Sequence, residues 1–222
     1  MKKSRSVRFD IVTIFPEVLS AYAEESLFKR ARIRKIVEVV FHDLRRFSAN
    51  RHRKVDDKPF GGGPGMVIQV EPVYKAVSSI ARRASRKKGK TRIILFSTRG
   101  KVFDASAARR LARYDRIVLI CGRYEGIDAR VDKILKTEQI SIGDYVLTGG
   151  ELPAMVLVDC MSRQIPGVLG NFDSREEERI SSSEVYTRPE ILIYKTKKHR
   201  VPQVLLSGDH KKIEEWKAQN NN

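Results

Sequence analysis

Apolar and polar positions along this chain fall into short runs, alternately strand-like and helix-like in period. Residues 7–14 (VRFDIVTI) form a β-rich run, after which Pro16 opens a pattern with Val18, Leu19, Tyr22, Ala23, Leu27 and Phe28 at helical spacing. Residues 36–42 read as a second strand, residues 66–70 as a short apolar segment and residues 72–85 as a helix. Residues 92–96 (RIILF) and 116–121 (RIVLIC) are nearly continuous apolar runs, as in strands covered on both faces. A helix over 105–112, a shorter strand over 138–142 and an apolar helix over 152–164 complete the series. Strands alternating with helices predict an α/β fold, a largely parallel sheet with helices on both faces.

The interruptions carry the chemistry. Residues 47–65 are rich in charge and end in Gly61-Gly62-Gly63-Pro64-Gly65, a connection of the length and irregularity found in functional loops. Further glycines stand at Gly100, at Gly122 and Gly126, and at Gly143, Gly149 and Gly150, each close behind an apolar strand. Ligands of open α/β sheets bind beyond the carboxyl ends of the strands, so glycines clustered there predict a small-molecule pocket. The Gly-Lys-Ser/Thr ending of a P-loop, a GxGxxG turn, an HExxH or CxxC pair and a GxSxG elbow are all missing. That leaves neither a classical nucleotide site, nor a metal-site spacing, nor a serine hydrolase. Beyond Gly170 the texture changes. Residues 171–185 are polar, as in a linker, and residues 186–222 form a basic tail that closes on a helix over 209–217. The expected organisation is a main domain over 1–170, a linker over 171–185 and a small domain over 186–222.

Charge adds a partner. The chain has 44 Lys and Arg against 27 Asp and Glu, a formal net charge of +17. Such a surplus attracts polyanions, nucleic acid first among them. Residues 61–100 carry 9 basic and 1 acidic side chains, whereas residues 101–184 carry 12 and 14. A phosphate-binding surface thus surrounds a segment with another task. Cys121 and Cys160 sit inside apolar runs, which suits free thiols in a reducing cytoplasm. The apolar runs are far too short to span a membrane.

Particular strings then outweigh patterns. CGRYEGIDARV (121–131), SIGDYVLTGGELPAMVLVDCMSRQIP (141–166, continuing GVLGN) and DDKPFGGGPGM (56–66) stand in order with FDIVTIFP (9–16), YTRP (186–189) and VPQVLLSGDH (201–210). Together they closely resemble the bacterial tRNA (guanine-N1)-methyltransferase family. The resemblance implies a SPOUT-type parallel sheet ending in a deep C-terminal trefoil knot, a short, mainly helical C-terminal domain, and a homodimer. It implies methyl transfer from S-adenosyl-L-methionine to N1 of guanosine 37 in tRNA, on the anticodon stem-loop. The matching donor positions are Phe96, Gly100, Gly122, Ile142, Gly143, Asp144, Tyr145, Val146, Leu147, Gly149, Gly150 and Pro153. Glu125 matches an acidic residue near the target base, which leaves a role for Mg²⁺ open; no metal ligand set is assigned. Arg163 matches the arginine that steadies charge on guanine O6.

The chain also departs from that pattern. FSTRG (96–100) stands where the family reads SPQG, with Thr98 and Arg99 in place of the Pro-Gln pair. The family's general base is an aspartate in a DSF string, and the shorter linker here has none. Glu178 falls at its position; Asp173, which precedes a serine, is the alternative, and Glu176 and Glu177 stay open. The tail beyond Trp216 is short, and the seven Lys or Arg of residues 82–92 are expected to help hold tRNA phosphates. The competing readings are a non-catalytic RNA-binding SPOUT protein and a SPOUT methyltransferase with another RNA target.

Overall fold

A computed structural model describes residues 6–85, 89–169 and 184–220. The chain divides into two compact units, Met1–Gly170 and Asn171–Asn222. The first unit begins with β1 (Val7–Thr13), a 3-10 turn (Pro16–Leu19), α1 (Ser20–Ala23), α2 (Ser26–Ile33) and β2 (Val37–Asp43). A second 3-10 turn (Leu44–Phe47) leads to β3 (Asp56–Asp57), β4 (Val67–Ile68) and α3 (Val70–Ser85). Then come β5 (Thr91–Val102), α4 (Ala105–Leu111), β6 (Arg116–Ile120), α5 (Arg130–Leu135), β7 (Glu138–Ser141) and α6 (Glu151–Arg163). Five strands form one parallel sheet in the order β2-β1-β6-β5-β7, and β3 pairs with β4 as a small antiparallel hairpin.

Both faces of the sheet are covered, and alternation along the strands shows how. Phe9 and Ile11 of β1 and Ile117 and Leu119 of β6 pack with Phe28 of α2, Leu111 of α4 and Leu157 of α6. The intervening Val12, Val118 and Ile120 pack with Val73, Val77 and Ile80 of α3 and Val131 of α5. With side chains buried on either face, the central strands lose the polar alternation of an open sheet.

Several boundaries differ from the sequence pattern. The apolar period after Pro16 is shared by a 3-10 turn and two short helices, because Glu25 takes an extended backbone (φ −109°, ψ 164°) between them. The strand expected over 92–96 runs on to Val102. Phe96 and Lys101 both register with Ile140 of β7, so the four residues between them leave the ladder and return. Helix α5 gives no apolar period because Val131 is its one buried residue. The charged connection over 47–65 holds β3, which pairs with β4 over only two residues on each strand.

The second unit, described by itself, carries an antiparallel hairpin of β8 (Ile191–Tyr194) and β9 (Lys197–Arg200), then α7 (Gln203–Leu206) and α8 (His210–Gln219). The helix expected over 209–217 starts one residue later, since Asp209 is its cap: the carboxylate accepts from the Lys212 N–H at 3.3 Å. A hairpin therefore joins the expected helices, with Lys195 in the left-handed conformation of its two-residue turn.

One charge cluster sits inside the first unit. Asp10, fully buried, receives Arg8 Nε at 3.0 Å and Arg116 Nη1 at 3.1 Å, and His42 Nε2 lies 2.8 Å from it. Removing the carboxylate takes the partner from partly buried Arg116 and from His42, while Arg8 keeps Glu38 at 2.7 Å. Asp10→Ala is expected to cost about 3 kcal/mol, read as a lower urea midpoint at unchanged slope.

Candidate active site

The site is assembled where the strands β1, β6 and β5 end. Cys121 and Gly122 follow β6 directly. The segment after β7 leaves the sheet edge, spans the carboxyl end of β5 and returns to β6. There the Gly150 N–H donates to the Gly122 carbonyl at 2.9 Å and Arg123 bridges Gly149. The approach is so close that a Cβ on Gly150 would lie 2.7 Å from Cys121 Cα, so no side chain fits.

Next along the chain, Glu151 begins α6 and is only 2% exposed. Its Oε1 accepts from Thr13 Oγ1 at 2.7 Å, and its Oε2 accepts from Arg123 Nε at 3.0 Å. Thr13 Oγ1 in turn accepts from the Phe15 N–H at 3.0 Å, and the Arg123 guanidinium stacks 4.8 Å from the Phe15 ring centre. A carboxylate withdrawn from water must be fully paired, and this one is paired by the end of β1 and the loop after β6. It also sits in the first turn of a helix, where negative charge is favoured. Burial, with Glu151 adding to it and Arg123 opposing, pushes the neighbouring Cys121 thiol well above its ordinary range. Cys121 is therefore a packing residue and not a nucleophile.

A further loop supports this frame from the side. The β3–β4 hairpin docks on the GRYEGID string: the Ile68 N–H donates to the Gly126 carbonyl and the Asp128 N–H to the Ile68 carbonyl, each at 3.0 Å. The Glu125 N–H donates to the Met66 carbonyl, also at 3.0 Å. Gly65 has φ +80°, and a Cβ there would lie 2.6 Å from Glu125 Oε1. Gly65, the last glycine of the run, thus backs Glu125, whereas a Cβ at Gly61, Gly62 or Gly63 would meet nothing within 4 Å.

Between these loops lies a cavity of about 470 Å³. Of the donor residues expected from the sequence, Phe96, Gly122, Ile142, Gly143, Tyr145, Val146, Leu147, Gly149, Gly150 and Pro153 line it, and so does Glu125. Gly100 and Asp144 are not on its wall. Gly100 has a packing reason instead, since a Cβ would meet the Ile140 backbone at 2.6 Å. Arg163 ends α6, about 18 Å along the helix from Glu151, and is not on the wall either. Glu178, Asp173, Glu176 and Glu177 lie outside the described residues. Among the described residues no three His, Cys, Asp or Glu side chains converge as a metal ligand set.

Thr13, Arg123 and Glu151 were not among the expected residues, although Arg123 and Glu151 sit in the strings GRYEG and GGELP. Their charges were the available signal; the pairing between them is tertiary. Glu151→Ala strips Arg123 and Thr13 of their partner together. We expect about 3 kcal/mol of destabilisation in urea unfolding, with a greater loss in binding of S-adenosylhomocysteine than Asp10→Ala causes.

Comparison with known proteins agrees with this geometry. Residues 7–222 match the family model described as tRNA (Guanine-1)-methyltransferase TrmD. A tRNA (guanine-N(1)-)-methyltransferase of Clostridioides difficile (strain 630) is 45% identical over 217 residues, 96% of this chain and 91% of that protein. Enzymes of the same name from Dehalococcoides mccartyi (strain ATCC BAA-2266 / KCTC 15142 / 195) and Moorella thermoacetica are each 44% identical. They cover 95% and 96% of this chain, and in both cases 84% of the relative. Matched along nearly its whole length, the chain belongs to the tRNA (guanine-1)-methyltransferase family.

Proposed function

We propose that this protein transfers the methyl group of S-adenosylmethionine to N1 of guanosine 37 in tRNA, beside the anticodon. The observation that carries the reading is the cavity of about 470 Å³ enclosed by glycine loops at the carboxyl ends of parallel strands, in a chain of this family. Phe96, Ile142, Leu147 and Pro153 give it apolar walls, and Gly122, Gly149 and Gly150 bring backbone close. Apolar walls edged by peptide groups suit an adenosine. When bound, S-adenosylmethionine supplies the methyl as a sulfonium electrophile, so the protein needs no nucleophile of its own.

The protein's own part is to hold two substrates in line and to manage one proton. N1 of guanine bears that proton, and its removal sends charge to O6. Glu178 of the linker accepts the proton at N1, with Asp173 as the alternative. Arg163 meets O6 with a guanidinium that stays charged and presents a planar fork of donors. Glu125, backed by Gly65, borders the base. Toward Mg²⁺ the cavity wall offers Glu125, its one exposed carboxylate without a charged partner.

The position of Arg163 supports a homodimer. At the far end of α6 it does not reach the cavity of its own chain, so we place it and the linker carboxylate against the cavity of a second copy. Tyr145, Val146 and Leu147 on the cavity wall and Leu152 and Val156 of α6 are exposed apolar residues suited to that contact. The return of residues 142–150 over β5, with the excursion of residues 97–100, supports a trefoil-knotted chain of the SPOUT type. Residues 1–170 then form the donor domain, 171–185 the linker and 186–222 a small tRNA-binding domain. Arg82 and Arg83 at the end of α3 add basic surface for the RNA backbone; Arg86, Lys87 and Lys88 of the same cluster lie outside the described residues. No helix among the described residues is long and apolar enough to cross a membrane. The cytoplasm, where tRNA is modified, is the proposed location.

Single-turnover transfer to an unmodified tRNA transcript tests the chemistry. Glu178→Gln is expected to slow it roughly 10²–10⁴-fold and Asp173→Asn to leave it little changed, with donor affinity preserved in both. If neither slows transfer, proton removal by the linker is wrong.

A further inference from the structure

The charged groups on the cavity wall divide into two sets. Arg123 is paired with Glu151 at 3.0 Å, and Asp128 with Arg130 at 2.6 Å. The Arg130 guanidinium, through that hydrogen bond, holds Asp128 below the usual carboxylate range. Asp132 is occupied by Thr137 and, at 3.0 Å, by Gln139. Three charged side chains remain without a side-chain partner among the described residues: Glu125, Arg99 and Lys133. The methyl donor brings two cationic centres and one carboxylate, and a wall cation is the strongest partner its own chain can offer that carboxylate.

Arg99 is the better placed of the two cations. It stands in the four-residue excursion of β5, whose two ends are pinned to the same residue, Ile140. Gly100 closes that excursion against the Ile140 backbone, where even a Cβ would be 2.6 Å away. The Arg99 N–H donates to Ser97 Oγ at 3.2 Å, which fixes the turn. Its Cα therefore has one place, and Arg99 is one of the residues that line the cavity. Lys133 hangs from the last turn of the short helix α5 on a more flexible stem. A guanidinium also offers the two parallel donors that a carboxylate accepts best.

We infer that Arg99 receives the α-carboxylate of the methyl donor and sets the protein's preference for a donor with an amino-acid tail. This rests on the methyl-transfer reading. The test compares S-adenosylhomocysteine, which has the carboxylate, with 5′-methylthioadenosine, which lacks it, by calorimetric titration of the full chain. Arg99→Gln should weaken S-adenosylhomocysteine about fivefold and leave 5′-methylthioadenosine unchanged, and Arg99→Lys should restore part of the loss. Equal weakening of both compounds, or of neither, overturns the assignment, as does a selective loss that falls on Lys133→Gln instead. If the unaltered protein binds neither compound, the donor site itself is wrong and this inference falls with it.

Discussion

One buried carboxylate sets the geometry on which everything else depends. Glu151 lies at the junction of β1, the loop after β6 and the start of α6, and its two oxygens are met by Thr13 and Arg123. Leaving water costs a carboxylate several kcal/mol unless it is paired, so the three segments come together or the charge is stranded. Glycines alone would not achieve this. Gly150 permits the chain to approach Cys121, but permission is not attraction; the attraction comes from the ion pair on either side of Gly149. Because Arg123 also lies on the Phe15 ring, the joint reaches two residues beyond β1. The cavity is thus bounded by loops whose positions follow from electrostatics in a dry place.

The same logic explains an oddity of the charge distribution. Residues 101–184 are slightly acidic within a chain of net charge +17. Among the described residues, three of those acids are partners of nearby cations: Glu151 of Arg123, Asp128 of Arg130, and Glu138 of both Arg92 and Arg110. They neutralise basic side chains around the cavity and β5. Elsewhere the basic surplus is left at the surface, where it attracts a polyanion over a distance set by salt. A pocket of balanced charge in a basic protein suits a small zwitterionic ligand beside a large polyanionic one.

How much of this was legible in the sequence depends on where each signal resides. The strands at 92–96 and 116–121 were plain, because covering both faces leaves continuous apolar runs. The breaks near Glu25 were not, since two short helices in succession can share one apolar period. Helix α5 escaped for the opposite reason: a single buried residue makes no period. The cavity was readable as glycines at strand ends, and ten of the twelve residues expected at a donor site line it. Gly100 and Asp144 do not, because a glycine or aspartate in a matching string can serve the packing or the surface of a loop as well as a ligand. The Thr13–Glu151 contact joins residues 138 positions apart, and no local pattern encodes a partner at that distance. Arg163 was legible as a charge at a helix end, but its distance from the cavity of its own chain emerged only from the fold.

The central claim is that the cavity delivers a methyl group to the Watson–Crick edge of one guanosine. The most direct measurement supplies unmodified tRNA transcripts and S-adenosylmethionine, then maps the modified nucleotide by the arrest it imposes on reverse transcription. A methyl on N1 blocks base pairing, so the account predicts a single arrest at position 37 and none in a transcript with adenosine there. Methylation at another nucleotide, or arrest unchanged when guanosine 37 is replaced, would contradict it.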